Sequence, residues 1–154
     1  MKKTWKDYLF VGLQFLLFGL YAFEFLPIYK FHIIIRYFGL LVAIVGICVM
    51  VLSLVQLRKN LTAFPTPTID AELITSGMYK FSRHPIYTGI ILFLFGYGFF
   101  QNSISKLILV SMLLLLFYFK TNYEENQLLQ KFRDYEGYRK NVNRFFPKIE
   151  KTKK

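Results

Sequence analysis

Long apolar blocks dominate this amino-acid sequence and limit the folds that are open to it. Four of them occupy residues 8–26, 33–57, 86–100 and 104–119. A hydrocarbon core of about 30 Å takes roughly 20 apolar residues as a helix, a length that the first two blocks reach. The last two are shorter, and only the polar residues 101–103 separate them, which predicts a tight helical hairpin. We therefore predict an all-α polytopic membrane protein with about four transmembrane helices.

Basic residues are distributed unequally between the segments that connect these blocks. With the N-terminus on the cytoplasmic side, the inner segments 1–7, 58–85 and 120–154 hold 17 of the 20 lysines and arginines. Because this bias follows the positive-inside rule, we expect both termini in the cytoplasm, and we predict a bacterial inner membrane. Contact with anionic lipid accounts for the net charge of +11, so the charge gives no reason to expect nucleic acid as a partner.

A short polar motif, Ser82-Arg83-His84-Pro85, stands directly before the third apolar block. Proline suits the first turn of a helix, because the N–H that it lacks would have no partner there. His84 is then expected at the helix cap, beside unpaired backbone N–H groups that attract anions. Arg83 adds a planar fork of donors that suits a carboxylate or a phosphate. The alternative is that both side chains only reach out to lipid headgroups.

The polar segment before this motif, residues 58–81, reads as a loop. Pro65 and Pro67 oppose helix formation, and Gly77 indicates a turn. Because the segment precedes the third block directly, we expect this loop to cover the site at the start of that helix.

The segment after the fourth block mixes apolar and charged residues. Leu128, Phe132 and Tyr135 recur at helical spacing, which predicts a cytoplasmic amphipathic helix lying at the membrane interface. Glu124 and Glu125 follow the apolar span immediately. A carboxylate at membrane depth is costly, so this pair indicates either a functional site or an interface anchor.

Two motifs in this order resemble the signatures of the isoprenylcysteine carboxyl methyltransferase and phospholipid methyltransferase family. GMYKFSRHPIYTG, at residues 77–89, is similar to the family's G-x-Y-x-x-x-R-H-P-x-Y-x-G. EENQLLQKFRDYEGYRKNVNRFFP, at 124–147, is similar to its EE-x-x-L…F-G-x-x-Y-x-x-Y…P tail, without the glycine after Phe132. The resemblance implies a single methyltransferase-like domain over 1–154, with cofactor-binding motifs in 71–89 and 120–147.

The resemblance also implies an activity: transfer of a methyl group from S-adenosylmethionine to a membrane-embedded or lipophilic carboxylate, amine or thiol at the cytoplasmic face. Lys120 matches a substrate-side arginine of the family, and a polar cofactor contact of the family's loop has no clear match near Phe64. The family's cofactor contacts correspond in this sequence to Leu73, Ile74, Tyr79, His84, Pro85, Tyr87 and Glu124.

The chemistry of these side chains suits a sulfonium cofactor. The Tyr79 and Tyr87 rings offer faces to a cation, Glu124 can pair with an ammonium group, and Arg83 can bind a carboxylate near His84. An ionised carboxylate acceptor needs no general base, whereas an amine acceptor needs one. For that role Glu125 and His84 are the nearby candidates. The candidate catalytic residues are therefore Lys120, Glu125 and Arg83.

Two other functions stay open at this point. One is a related membrane reductase using NADPH, whose motif often carries Asn and Glu where this chain has Ile86 and Ile90. The other is a non-catalytic membrane protein that serves as a binding or scaffold module. No metal-ligand spacing is visible in the sequence. The sequence predicts the lipid bilayer and a lipophilic small molecule or lipid as partners, and it leaves the acceptor's identity and the oligomeric state open.

Overall fold

A computed structural model of the chain describes residues 3–57 and 62–147, and every regular element in these two ranges is helical. The elements are, in chain order, α1 (Trp5–Tyr21), α2 (Ile33–Leu57), a 3-10 turn (Gly77–Lys80), α3 (Pro85–Phe100), α4 (Ile104–Lys131) and α5 (Tyr135–Asn141). The all-helical class predicted from the sequence is confirmed. The predicted loop over 58–81 is observed from residue 62 onward, and its first four residues lie outside the described ranges.

Two helices, α2 and α4, are long and apolar enough to cross a membrane. Among the described residues, α3 is a shorter apolar helix of 16 residues, and α1 has 17 residues. The bounds of α2 are those predicted. By contrast, α1 ends at Tyr21 rather than near residue 26. The chain leaves the helix there because Glu24 pairs with Lys106, and because the Ser105 hydroxyl accepts the backbone N–H groups of Phe25 and Leu26.

Helices α2 and α3 pack backbone against backbone through glycines. A Cβ atom added to Gly89 would lie 2.8 Å from the Gly46 carbonyl oxygen and 2.6 Å from the Met50 nitrogen. One added to Gly96 would lie 2.4 Å from the Gly39 carbonyl oxygen. These close approaches at Gly89 and Gly96 fix α3 firmly against α2.

Replacing Gly96 with alanine is expected to lower the thermal midpoint of the detergent-solubilised protein and its folded yield. The new methyl group meets backbone atoms that cannot turn away, so the two helices must separate. Gly12→Ala is the matched control, because a Cβ there meets nothing within 4 Å and alanine favours helix. Equal thermal midpoints for the two variants would contradict the close contact.

Helices α3 and α4 form the predicted hairpin. Asn102 has a positive φ of 59° in the turn, and the Ser103 N–H donates to the Gly98 carbonyl. The Ser103 hydroxyl then caps α4 by accepting the Lys106 N–H. At the other end, His84 and Glu125 are 3.2 Å apart, so the hairpin brings the two sequence motifs together.

The C-terminal part differs from the single amphipathic helix predicted there. Helix α4 continues through both glutamates to Lys131, the chain is extended at Phe132, and the seven-residue α5 follows. Leu128, Phe132 and Tyr135 line a cavity, so their apolar face is turned into the protein. The predicted single helix is therefore wrong, because the apolar face is formed by the end of α4, the extended Phe132 and the start of α5. Its position at the membrane interface stays a prediction.

Candidate active site

The Ser82–Pro85 motif is held in place by the segment that follows α5. The backbone N–H groups of Arg83 and His84 donate to the carbonyls of Asn143 and Arg144, at 3.0 and 3.1 Å. The Ser82 hydroxyl also donates to the Arg144 carbonyl. His84 occupies the N-cap of α3 and Pro85 its first position, as predicted. Hydrogen bonds to the segment after α5, at residues 143 and 144, therefore hold the turn that starts α3.

Glu125 is the centre of a buried ion-pair cluster. Its side chain is 0% exposed, and its Oε1 lies 2.9 Å from the Arg83 guanidinium and 3.2 Å from His84 Nε2. Its Oε2 lies 3.1 Å from Arg144 and 3.5 Å from Arg139. Such a carboxylate compensates several buried cations at once. Glu125 thus joins three chain segments: the start of α3, α4, and the C-terminal segment.

Glu124, the neighbouring carboxylate, has a different environment. Its side chain is 23% exposed, and it accepts one hydrogen bond of 3.2 Å, from the Tyr87 hydroxyl. His84 Nδ1 lies 4.0 Å from the same oxygen. Because Glu124 is accessible and retains acceptor capacity, it can bind a ligand cation. The imidazole of His84 lies between the two carboxylates.

Two adjoining cavities border this region, with volumes of ≈ 100 and ≈ 370 Å³. Tyr79, His84 and Glu124 line both of them. The smaller one, which we call the loop cavity, extends under the 62–76 loop and is otherwise mainly apolar. The larger one, which we call the helix cavity, extends between α1, α3 and α4 to Lys120 and Gln14.

The loop that closes the cavities is attached to the helices on either side. The Asp7 carboxylate of α1, which is 0% exposed, accepts the Thr66 N–H at 2.9 Å and the Thr66 hydroxyl at 2.6 Å. The Lys120 ammonium donates to the Ala63 carbonyl at 2.9 Å and to Gln14 at 2.6 Å. Both cavities therefore depend on α1, a part of the chain that carries neither motif.

Comparisons with known proteins show which family the chain belongs to. The phospholipid methyltransferase family model matches residues 34–135, which include the Ser82–Pro85 motif and both glutamates. The chain belongs to the phospholipid methyltransferase family. Two rice proteins, from Oryza sativa subsp. indica and subsp. japonica, are named probable protein-S-isoprenylcysteine O-methyltransferase. Each is 30% identical over 128 residues, an alignment that covers 80% of this chain and 67% of the relative. The family predicted from the two motifs is confirmed.

The fold of this phospholipid methyltransferase family member brings most of the predicted site residues together. Leu73 and Ile74 line the loop cavity, while Tyr87 and Lys120 line the helix cavity. Pro85 is buried and is the first residue of α3. The roles predicted for these residues toward a cofactor or an acceptor stay predictions.

Arg83 and Glu125 border the same region, but their functional groups are occupied. The Arg83 guanidinium donates to Glu125 and to the carbonyls of Arg139 and Val142. Most of its donors are thus directed into the protein. Glu125 in turn has its two oxygens shared among four cationic or imidazole groups. This geometry favours a positioning role for the pair.

Sequence reasoning missed three residues that build the site. Arg144 binds Glu125 from a distance of 19 residues, and Asp7 anchors the loop from a distance of 59. Tyr138 donates to the Tyr79 carbonyl at 2.5 Å, and burial raises the pKa of Tyr138 to about 12, so the phenol remains a donor at neutral pH. The Thr4-x-x-Asp7 spacing does resemble a helix capping box, but it gives no indication of the contact with the loop.

Proposed function

We propose that this chain is an integral-membrane methyltransferase that uses S-adenosylmethionine and methylates a lipophilic acceptor at the cytoplasmic face. The observation that carries the proposal is the contrast between the two glutamates. Glu125 is engaged in ion pairs with arginines, whereas Glu124 is accessible in a cavity that is also lined by aromatic rings. An available carboxylate beside aromatic faces suits a ligand that carries both an ammonium and a sulfonium group.

The residues around the two cavities fit this cofactor. Glu124 would hold the α-ammonium, while Tyr79 and Tyr87 would present ring faces to the sulfonium. Leu73 and Ile74, in the mainly apolar wall of the loop cavity, would border the adenosine. In the helix cavity, Lys120 lies 5.2 Å from the centre of the Tyr87 ring, on the side that we assign to the acceptor.

Methyl transfer of this kind is an in-line displacement: the bond from sulfur to the methyl carbon breaks as the bond from the acceptor atom forms. The cofactor supplies the electrophilic methyl group. The chain's own contribution is to position and desolvate the two reactants. We propose that Lys120 attracts an anionic acceptor group, which favours a carboxylate over an amine. Arg83 and Glu125 hold the His84 turn against α4, and Glu125 as a general base stays a prediction.

An apolar groove provides a location for the acceptor's hydrocarbon chain. It has a volume of ≈ 310 Å³ and lies between α1, α2 and α3. Ile90 lines both this groove and the helix cavity, so the two adjoin each other at this side chain. The groove's other lining residues are Phe18, Tyr21, Met50, Phe93 and Leu94. A lipid tail in this groove would bring its polar head to Lys120.

We propose four membrane spans in one domain over 1–154, with the site at the cytoplasmic side. Large apolar side chains on α2 face outward, among them Ile34 at 70% and Phe38 at 64% exposure. An exposed apolar surface of this extent requires lipid or a partner to cover it. Helices α1 and α3 are short for a span, and local thinning of the bilayer accommodates such lengths. A bacterial inner membrane stays a prediction.

A topology experiment tests the four spans. A reporter fused after Lys154 should be cytoplasmic, and one inserted within the turn at Gln101–Ser103 should be on the opposite side. The reason is that an even number of spans returns the C-terminus to its starting side, while the hairpin turn lies across the membrane. Alkaline phosphatase and a fluorescent protein provide the two complementary readouts. Reporters on the same side would contradict the hairpin as a pair of spans.

The acceptor can be identified from the transferred methyl group. Membranes containing the protein are incubated with methyl-labelled S-adenosylmethionine, and label is expected in the lipid extract. We expect alkali to release that label as volatile methanol, since a methyl ester is base-labile and a methylated amine is not. Lys120→Met, which keeps side-chain volume, should lose most transfer, and titration with S-adenosylhomocysteine reports separately on the lost loop contact to Ala63. Base-stable label would indicate an amine or a thiol acceptor and contradict the preference for a carboxylate that is given to Lys120.

A further inference from the structure

The hydroxyl group of Tyr135 is buried without a partner. The side chain begins α5 and is 1% exposed, and its oxygen has no hydrogen-bond partner among residues 3–57 and 62–147. Buried polar groups in folded proteins nearly always have a partner, so such an exception requires an explanation. A phenol at this position costs stability that phenylalanine would not.

The environment of this hydroxyl indicates a ligand. Tyr135 lines the loop cavity together with Tyr79 and Tyr138. The Tyr138 hydroxyl is used within the protein, since it donates to the Tyr79 carbonyl. Burial and the nearby Glu125 charge raise the pKa of Tyr135, so its phenol keeps the proton that it can donate. Tyr135 therefore borders the cavity and carries a donor that no residue in the described ranges uses.

We propose that the Tyr135 hydroxyl hydrogen-bonds the nucleoside half of the S-adenosyl cofactor, an inference that rests on the proposed function. The loop cavity contains Tyr135 and the loop residues Leu73 and Ile74, whereas the helix cavity contains Lys120 and not Tyr135. Glu124 lines both cavities. A ligand that binds Glu124 through its amino-acid end and directs its methyl group toward Lys120 thus extends its nucleoside toward Tyr135.

Calorimetric titration of Tyr135→Phe with S-adenosylhomocysteine tests this inference. We expect a three- to tenfold weaker affinity, in line with one neutral hydrogen bond. The thermal midpoint without ligand should stay the same or rise, because the variant removes an unpartnered group. Competition by 5′-methylthioadenosine, which lacks the amino-acid end, should weaken by a similar factor. Tyr37→Phe is the matched control, since its side chain is 61% exposed on α2.

Each other outcome overturns the inference in a recognisable way. If Tyr135→Phe binds S-adenosylhomocysteine with unchanged affinity, the hydroxyl does not contact the cofactor. If the variant has a lower thermal midpoint without ligand, the hydroxyl has a structural role. If the variant binds S-adenosylhomocysteine more weakly but competition by 5′-methylthioadenosine is unchanged, the hydroxyl contacts the amino-acid end of the cofactor and not the nucleoside. Absence of competition in the wild-type protein also contradicts a nucleoside site in this cavity. If the wild-type protein does not bind S-adenosylhomocysteine at all, the proposed function itself fails.

Discussion

Replacing Glu125 with glutamine is expected to lower the thermal midpoint of the detergent-solubilised protein by roughly 10 °C or more. Removing one partner of a buried ion pair costs about 3–5 kcal/mol, because it leaves the other charge buried and uncompensated. Here Arg83 and Arg144 would both lose their carboxylate. For a chain of this size, each kcal/mol corresponds to about 2–4 °C. Thermal unfolding followed by tryptophan fluorescence or by size-exclusion chromatography measures the change.

Glu136→Gln is the matched control for this substitution. Glu136 makes its ion pair with Lys140 on the surface of α5, where both side chains are more than half exposed. Exposed pairs contribute little to stability, so the thermal midpoint should not change. If Glu125→Gln kept the wild-type midpoint but lost turnover, Glu125 would act in proton transfer and not as the centre of the ion-pair cluster.

Replacing Glu124 with glutamine is expected to have the opposite profile, with a retained fold and a large loss of cofactor affinity. The substitution keeps the shape of the side chain and removes its charge. A charge-assisted hydrogen bond contributes roughly 1.5–3 kcal/mol, which corresponds to an affinity loss of about 10- to 150-fold. Within the described residues, Glu124 accepts a hydrogen bond only from the Tyr87 hydroxyl, lies 4.0 Å from His84 and forms no ion pair with an arginine, so the thermal midpoint should change little.

Isothermal titration with S-adenosylhomocysteine measures this loss, and Glu136→Gln again serves as the control. The comparison between the two adjacent glutamates is what makes the result informative. Glu124→Gln should weaken binding in a stable protein, and Glu125→Gln should destabilise the protein before ligand is added. Wild-type affinity in a well-folded Glu124→Gln variant would contradict the assignment of Glu124 to the cofactor's ammonium group.

Much of the framework could be predicted because it depends on local sequence. Apolar length gave the bounds of α2, and Pro85 marked the first position of α3 with His84 at its cap. Gly77 has the positive φ expected of a turn glycine. These features follow from hydrophobic burial and from the backbone preferences of proline and glycine. Such preferences act locally, so they can be recognised without knowing which distant residues come into contact.

The features that could not be predicted depend on contacts between distant residues. Sequence placed Glu124 and Glu125 side by side but did not distinguish the accessible carboxylate from the buried one. Glu125 is buried by Arg83, His84 and Arg144, and Arg144 reaches it after the chain has changed direction at Phe132. In the same way, α1 ends early because Glu24 pairs with Lys106 in the hairpin. Pairings of this kind appear only when the helices are assembled.

The binding selectivity of the wild-type protein tests the central claim most directly. Thermal unfolding is measured with S-adenosylhomocysteine and, separately, with NADPH. At a hundredfold excess over the dissociation constant, a ligand that binds only the folded state adds about 2.7 kcal/mol of stability. We therefore predict that S-adenosylhomocysteine raises the thermal midpoint by several degrees and that NADPH leaves it unchanged. A rise with NADPH and none with S-adenosylhomocysteine would contradict an S-adenosyl cofactor site at Glu124.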